Sequence, residues 1–135
     1  MKSDRACASD WAGSRSIDCC TARPHSAARG ALALSVDYAK TRKVNGAPLG
    51  MLQSIQHRSA DMAADYYAAR SMTYDALAAL DAGGRPRVEA FFCKLFVAEK
   101  AFDIADHAVQ IHGKVGVVRG GEIESLFQRL RRSES

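Results

Sequence analysis

Leu52, Ile55, Ser59, Met62, Tyr66, Ala69, Thr73, Ala76 and Leu80 recur at alternating spacings of three and four residues. That rhythm follows the α-helical turn and places all nine on one stripe, a seam suited to a neighbouring helix at a shallow angle. It predicts a helix from about Pro48 to Ala82, about 50 Å long, which only other long helices can cover. A second stripe, Val88, Phe91, Leu95, Ala98, Phe102, Ala105 and Val109, predicts a helix over Arg87 to Ile111. Leu32, Val36 and Ala39 mark a shorter one over Ala31 to Lys43, and Ile123, Leu126, Phe127 and Leu130 mark a last one after Gly121. Asn45-Gly46 with Pro48, Gly83-Gly84 with Pro86, and Gly113 with Gly116 separate these helices, each pairing a residue that ends a helix with one that starts or forbids the next. Val115-Gly-Val-Val118 is too short and too broken by glycine to read as a strand. The expected fold is all-α, an antiparallel up-down helical bundle of three long helices and a short one. Such a set falls slightly short of a closed four-helix core and leaves an apolar face for another subunit or domain.

Composition bounds the rest. A chain of 135 residues, 47% hydrophobic, is one domain with enough core to fold without staples. Its net charge of +4 is unclustered apart from Arg129, Arg131 and Arg132, so no basic stripe suggests nucleic acid. No apolar run is long enough to span a bilayer, and no signal-peptide core is present. The four cysteines form no C-x-x-C pair, which argues against zinc, and their usage fits a reducing compartment. Cys93, among Phe91, Phe92 and Leu95, reads as a small buried hydrophobe. Residues 1–29 carry no helical or strand period and read as an irregular or disordered segment ahead of a bundle domain at 30–135. They are rich in Ser, Ala and Arg, as transit peptides are, although Asp4, Asp10 and Asp18 oppose that reading. The abrupt change at Gly30 also suggests a shifted reading frame or a gene remnant.

Two helix ends carry the chemistry. Tyr38-Ala-Lys-Thr-Arg-Lys-Val-Asn-Gly46 closes the first helix, and Asp103-Ile-Ala-Asp-His-Ala-Val-Gln-Ile-His-Gly113 closes the third. A helix that stops at glycine leaves carbonyls, and the N–H groups just beyond, free for a ligand. Arg42 with Gly46, Gln53 after Pro48-Leu49, and Ala108-Val-Gln-Ile-His-Gly-Lys114 are ordered landmarks that resemble the C-terminal helical domain of acyl-CoA dehydrogenases. The resemblance runs from residue 30 to about 126. It departs from the family at Asn45, where a Phe is usual, and at Lys114, where a second Gly is usual.

The resemblance implies that Arg42 contacts the pyrophosphate of FAD bound to a neighbouring subunit, and that Gln110 and the backbone after it, Gly113 and Lys114, contact the adenine end. Gln53 is implied as a further cofactor contact. It also implies a flavin oxidoreductase that dehydrogenates acyl-CoA thioesters, in the cytoplasm or, in a eukaryote, the mitochondrial matrix. The family's catalytic base is a Glu in a Tyr-Glu-Gly-Thr segment. The sequence stops at Ser135 before that segment, and residues 1–29 cannot hold the family's other two domains. The chain is therefore expected to be a truncated domain without a catalytic residue of its own. Its expected partners are a homo-oligomer or a full-length relative, engaged through helix faces. The alternative is a non-catalytic helical self-association or docking module. Asp103, one turn before His107, reads as a surface ion pair rather than a metal pair. Asp61 and Asp65 read as a solvated face.

Overall fold

A computed structural model describes residues 14–131. Four α-helices follow in order: α1 (Ser14–Thr41), α2 (Gln53–Asp81), α3 (Arg87–His112) and α4 (Glu122–Arg131). They form the expected all-α bundle, with α3 in contact with each of the other three. The core is shared by Ala27, Ala28 and Ala31 of α1, Met62 of α2, Ala101, Ile104, Ala105, Ala108 and Ile111 of α3, and Ile123, Leu126 and Leu130 of α4. Alanine at so many of these contacts lets the helix axes approach closely.

The first helix differs most from expectation. It begins at Ser14 and runs without a break past Gly30, so residues 14–29 are helical rather than irregular; residues 1–13 lie outside the described residues. Thr21, Pro24, Ala28, Ala31, Ser35 and Ala39 form its buried stripe, spaced by threes and fours. The period is therefore present, but it is written in small residues that a search for large apolar side chains passes over. Pro24 sits inside the helix. It forfeits one backbone hydrogen bond there, a cost of about 3 kcal/mol that only tertiary burial offsets. Ser35 has no exposed surface, and its hydroxyl donates to the Ala31 carbonyl at 2.7 Å, so this buried hydroxyl is satisfied.

The first helix also ends sooner, at Thr41, and Asn45-Gly46 is not its cap. These two residues are the tip of a hairpin whose strands, β1 (Lys43–Val44) and β2 (Ala47–Pro48), pair Lys43 with Pro48 and Val44 with Ala47. Asn45 and Gly46 both hold positive φ, 53° and 84°, as a two-residue type I′ turn requires. A 3-10 turn over Leu49–Met51 follows, so α2 starts at Gln53 rather than at Pro48. Its seam is as expected from Ile55 onward, with Met62, Ala69, Thr73 and Ala76 buried. At its far end the Gly84 N–H donates to the Ala79 carbonyl and the Gly83 N–H to the Leu80 carbonyl, the Schellman pattern, with Gly83 at φ 81°.

In α3 the large apolar residues of the first half do not face the core. Val88, Phe91 and Leu95 are 60%, 54% and 68% exposed, and Phe92 joins them at 60%. The buried stripe is Cys93, Val97, Ala101, Ile104, Ala105, Ala108 and Ile111, rotated from the expected one and again rich in small residues. Cys93 is buried as expected, and its thiol donates to the Met72 carbonyl at 3.1 Å. Burial, then the charges of Asp75 and Glu89, pushes that thiol's pKa up and keeps it protonated.

Candidate functional site

The up-down order brings the end of α1, the start of α2 and the end of α3 to one end of the bundle. Four contacts hold them there. The Tyr38 ring stacks on the His112 ring, with centroids 4.4 Å apart and planes 27° from parallel. Gly50 lies so close to α1 that a Cβ there would stand 3.3 Å from the Ala39 carbonyl oxygen. The Leu49 N–H also donates to the Arg42 carbonyl at 2.7 Å, tying the hairpin's exit to the residue that ends α1. The Gln56 side chain donates to the Gly50 carbonyl at 3.0 Å and braces the first turn of α2.

Arg42, Gln53, Gln110, Gly113 and Lys114 all lie at this end, and all are exposed. Arg42 directly follows α1, Gln53 opens α2, and Gln110 sits in the last turn of α3. Gly113 adopts φ 57° and ψ −132°, and its N–H turns back to the carbonyls of Val109 and Gln110. No atom stands within 4 Å of where its Cβ would be, so the backbone is open on that side. Lys114 enters a 3-10 turn, Gly113–Val117, that carries the chain away from α3. Gly116 closes that turn onto the helix; a Cβ there would stand 2.9 Å from the Val109 carbonyl oxygen.

Two cations, two carboxamides and an open glycine backbone make a donor-rich surface with no carboxylate among the five. Guanidinium and ammonium groups match phosphate oxygens, and carboxamides serve both faces of a nucleotide's polar edges. The residues therefore fit the dinucleotide that the family resemblance implies.

His112 is the residue that sequence reasoning underrated. It does not pair with Asp103 or reach toward a metal. It is buried, its Nδ1–H donates to the Ala108 carbonyl at 2.8 Å, and its ring is the platform for Tyr38. The available signal was positional: Tyr38 lies one turn before Arg42, and His112 lies between Gln110 and Gly113. Asp103 pairs instead with Lys100 at 3.2 Å, and the same Lys100 reaches Asp65 of α2 at 3.6 Å. Asp65 thus faces α3 rather than bulk solvent. Both pairs are partly exposed, and such pairs are worth about 0–1 kcal/mol. His107 keeps its Nδ1 buried without a hydrogen-bond partner. Among the described residues no three His, Cys, Asp or Glu side chains group as a metal site would require. Glu122 and Glu124 sit in the first turn of α4, where acidic charge favours the helix dipole.

Comparison with known proteins fits this geometry. Residues 19–134 match the family described as acyl-CoA dehydrogenase, C-terminal domain. A 3-(aryl)acrylate reductase of Clostridium sporogenes is 36% identical over 104 residues, 77% of this chain and 28% of that protein. A probable acyl-CoA dehydrogenase of Bacillus subtilis is 36% identical over 107 residues, again 28% of its length. The solved butyryl-CoA dehydrogenase of Megasphaera elsdenii superposes with a TM-score of 0.85 at 28% identity, covering 88% of this chain and 31% of its own. The chain thus spans less than a third of each relative.

Proposed function

The chain belongs to the acyl-CoA dehydrogenase family as its C-terminal helical domain, and on that footing we propose that its hairpin end is a contact surface for FAD. Arg42 grips the pyrophosphate through its planar fork, and Lys114 adds a second cation. Gln53 and Gln110 meet the polar edges of the nucleotide, and the open backbone at Gly113 allows close approach. Bound there, the flavin would supply the hydride-accepting chemistry of the family. This chain's share is binding and orientation, since none of its described residues is assigned as the base. The observation that supports the reading is that these five residues, all exposed, lie where α1 and α3 end and α2 begins.

The expected partner is a second copy or a longer relative that supplies the rest of the flavin and thioester sites. Among the described residues no helix is long and apolar enough to cross a membrane, and we place the chain in the cytoplasm, or the mitochondrial matrix of a eukaryote. A second reading rests on Val88, Phe91, Phe92 and Leu95, an apolar surface on α3 that suits a non-catalytic docking module.

The test is FAD fluorescence quenching by the 135-residue chain and its Arg42→Ala variant, with a dye-linked acyl-CoA turnover assay alongside. The reading predicts weak FAD binding, about tenfold weaker in Arg42→Ala, and no turnover. Quenching indifferent to Arg42, or substantial turnover, contradicts it. A colourless protein that oligomerises stably and ignores FAD favours the docking module.

A further inference from the structure

A concave surface lies away from the hairpin end, between the middle of α1 and the middle of α2. Arg29, Tyr66, Tyr67, Arg70 and Tyr74 line it, and its volume is about 460 Å³. That falls within the range of roughly 300–1,000 Å³ typical of small-ligand sites. Arg29 lies about 20 Å before Arg42 along the same helix at 1.5 Å per residue, so the two surfaces are separate.

The lining is chemically one-sided. It contains two guanidinium groups and three phenols, and no carboxylate. Among the described residues neither Arg29 nor Arg70 forms an ion pair; the ion pairs belong to Lys100. The Arg70 guanidinium lies 5.3 Å from the centroid of the Tyr74 ring, a cation–π contact that holds the side chain over the groove's aromatic wall. Tyr66 is fixed from behind by the edge of the His25 ring, at 6.0 Å, and His25 is itself anchored to Thr73 at 2.9 Å. Arg70, Tyr74 and Tyr66 are therefore each held by a neighbouring side chain.

A ligand that satisfies this groove must bring acceptor oxygens for two forks and a flat ring for the tyrosines. We propose that the groove between α1 and α2 binds a nucleotide, a phosphate monoester carried on a planar heteroaromatic base. The phosphate bridges Arg29 and Arg70, where a guanidinium pairs with two oxygens at once. The base stacks on the tyrosine wall, which any base offers through its π-face. This site is independent of the FAD reading and needs none of its residues.

Isothermal titration calorimetry of the 135-residue chain tests it with three probes: AMP, adenosine and inorganic phosphate. AMP is expected to bind at least about tenfold more tightly than either fragment, because phosphate and ring each contribute. Arg70→Gln and Arg29→Gln are each expected to weaken AMP about tenfold with unchanged circular dichroism, since both side chains are exposed, while Lys94→Gln on α3 leaves the affinity unchanged. Tyr74→Leu is expected to lower affinity for AMP more than for phosphate. AMP binding no tighter than adenosine or phosphate overturns the proposal. So does an affinity that falls with Arg42→Gln and not with Arg70→Gln, which would assign the nucleotide to the hairpin end and leave the FAD reading standing.

Discussion

His25 links a single proton to the stability of the bundle. Its Nε2 lies 2.9 Å from the Thr73 hydroxyl oxygen, and that hydroxyl donates to the Ala69 carbonyl. The oxygen is therefore the acceptor and His25 the donor, through the Nε2–H. Burial lowers the His25 pKa below its ordinary 6.5; the Ala69 carbonyl opposes the shift and the Arg70 charge adds to it. The unfolded chain consequently takes up its proton at higher pH than the folded one. Stability is full above about pH 6.5 and falls as pH drops from there toward the folded pKa. Thermal melts at about pH 7.5 and about pH 5 should show a larger loss for the native chain than for His25→Gln. Equal losses would mean that His25 is not the linked group. The same scale explains what the sequence hid. Thr21, Pro24, Ala28 and Ser35 are core residues, yet small, polar or helix-breaking types rarely announce burial. Arg42, Gln53 and Gln110 stand out in the sequence only as landmarks in order, since each alone is an ordinary exposed residue in or beside a helix.

Among the elements, punctuation was easier to read than orientation. Gly83-Gly84 ends α2 where its glycines and Pro86 suggested, because a left-handed C-cap has few alternatives. Asn45-Gly46 was equally visible as a break, but the same pair serves a helix end or a type I′ hairpin, and two-residue strands carry no period to separate them. The face of α3 was misread because the helix is apolar around most of its circumference, so periodicity does not select a side. Tertiary contact selects it: Ala27, Ala28 and Ala31 of α1 and Met62 of α2 share the core with the Ala101, Ala105 and Ala108 stripe. The 3-10 turn after α3 is the element on which the proposed FAD surface most depends. Gly116→Ala would drive a Cβ to 2.9 Å from the Val109 carbonyl oxygen and 3.1 Å from the His112 Cβ. It should cost about 1–3 kcal/mol in chemical denaturation and displace Lys114 with the turn. A fully stable Gly116→Ala protein would show that the turn is not packed as described.

At the scale of the molecule, besides the groove between α1 and α2, the bundle presents two surfaces that its own core does not explain. One is the apolar half of α3, where Val88, Phe91, Phe92 and Leu95 are all more than half exposed. If this surface docks a second copy, the native chain sediments above its 14.6 kDa monomer mass, and Phe91→Glu with Leu95→Glu returns it to that mass without lowering the melting temperature. An assembly that survives both substitutions would exclude this face. The other surface is the polar hairpin end. Its fold context was legible in the sequence, because long seams and glycine breaks leave few architectures other than an up-down bundle. Its spatial convergence was not, since it depends on a stack between Tyr38 and His112, 74 positions apart in the chain. The most direct measurement is an amide ¹H–¹⁵N titration of the isotopically labelled chain with FAD. The account predicts shifts concentrated at Arg42, Gln53, Gln110, Gly113, Lys114 and their immediate neighbours. Shifts absent up to about 1 mM FAD, or confined to the opposite end of the bundle, would contradict it.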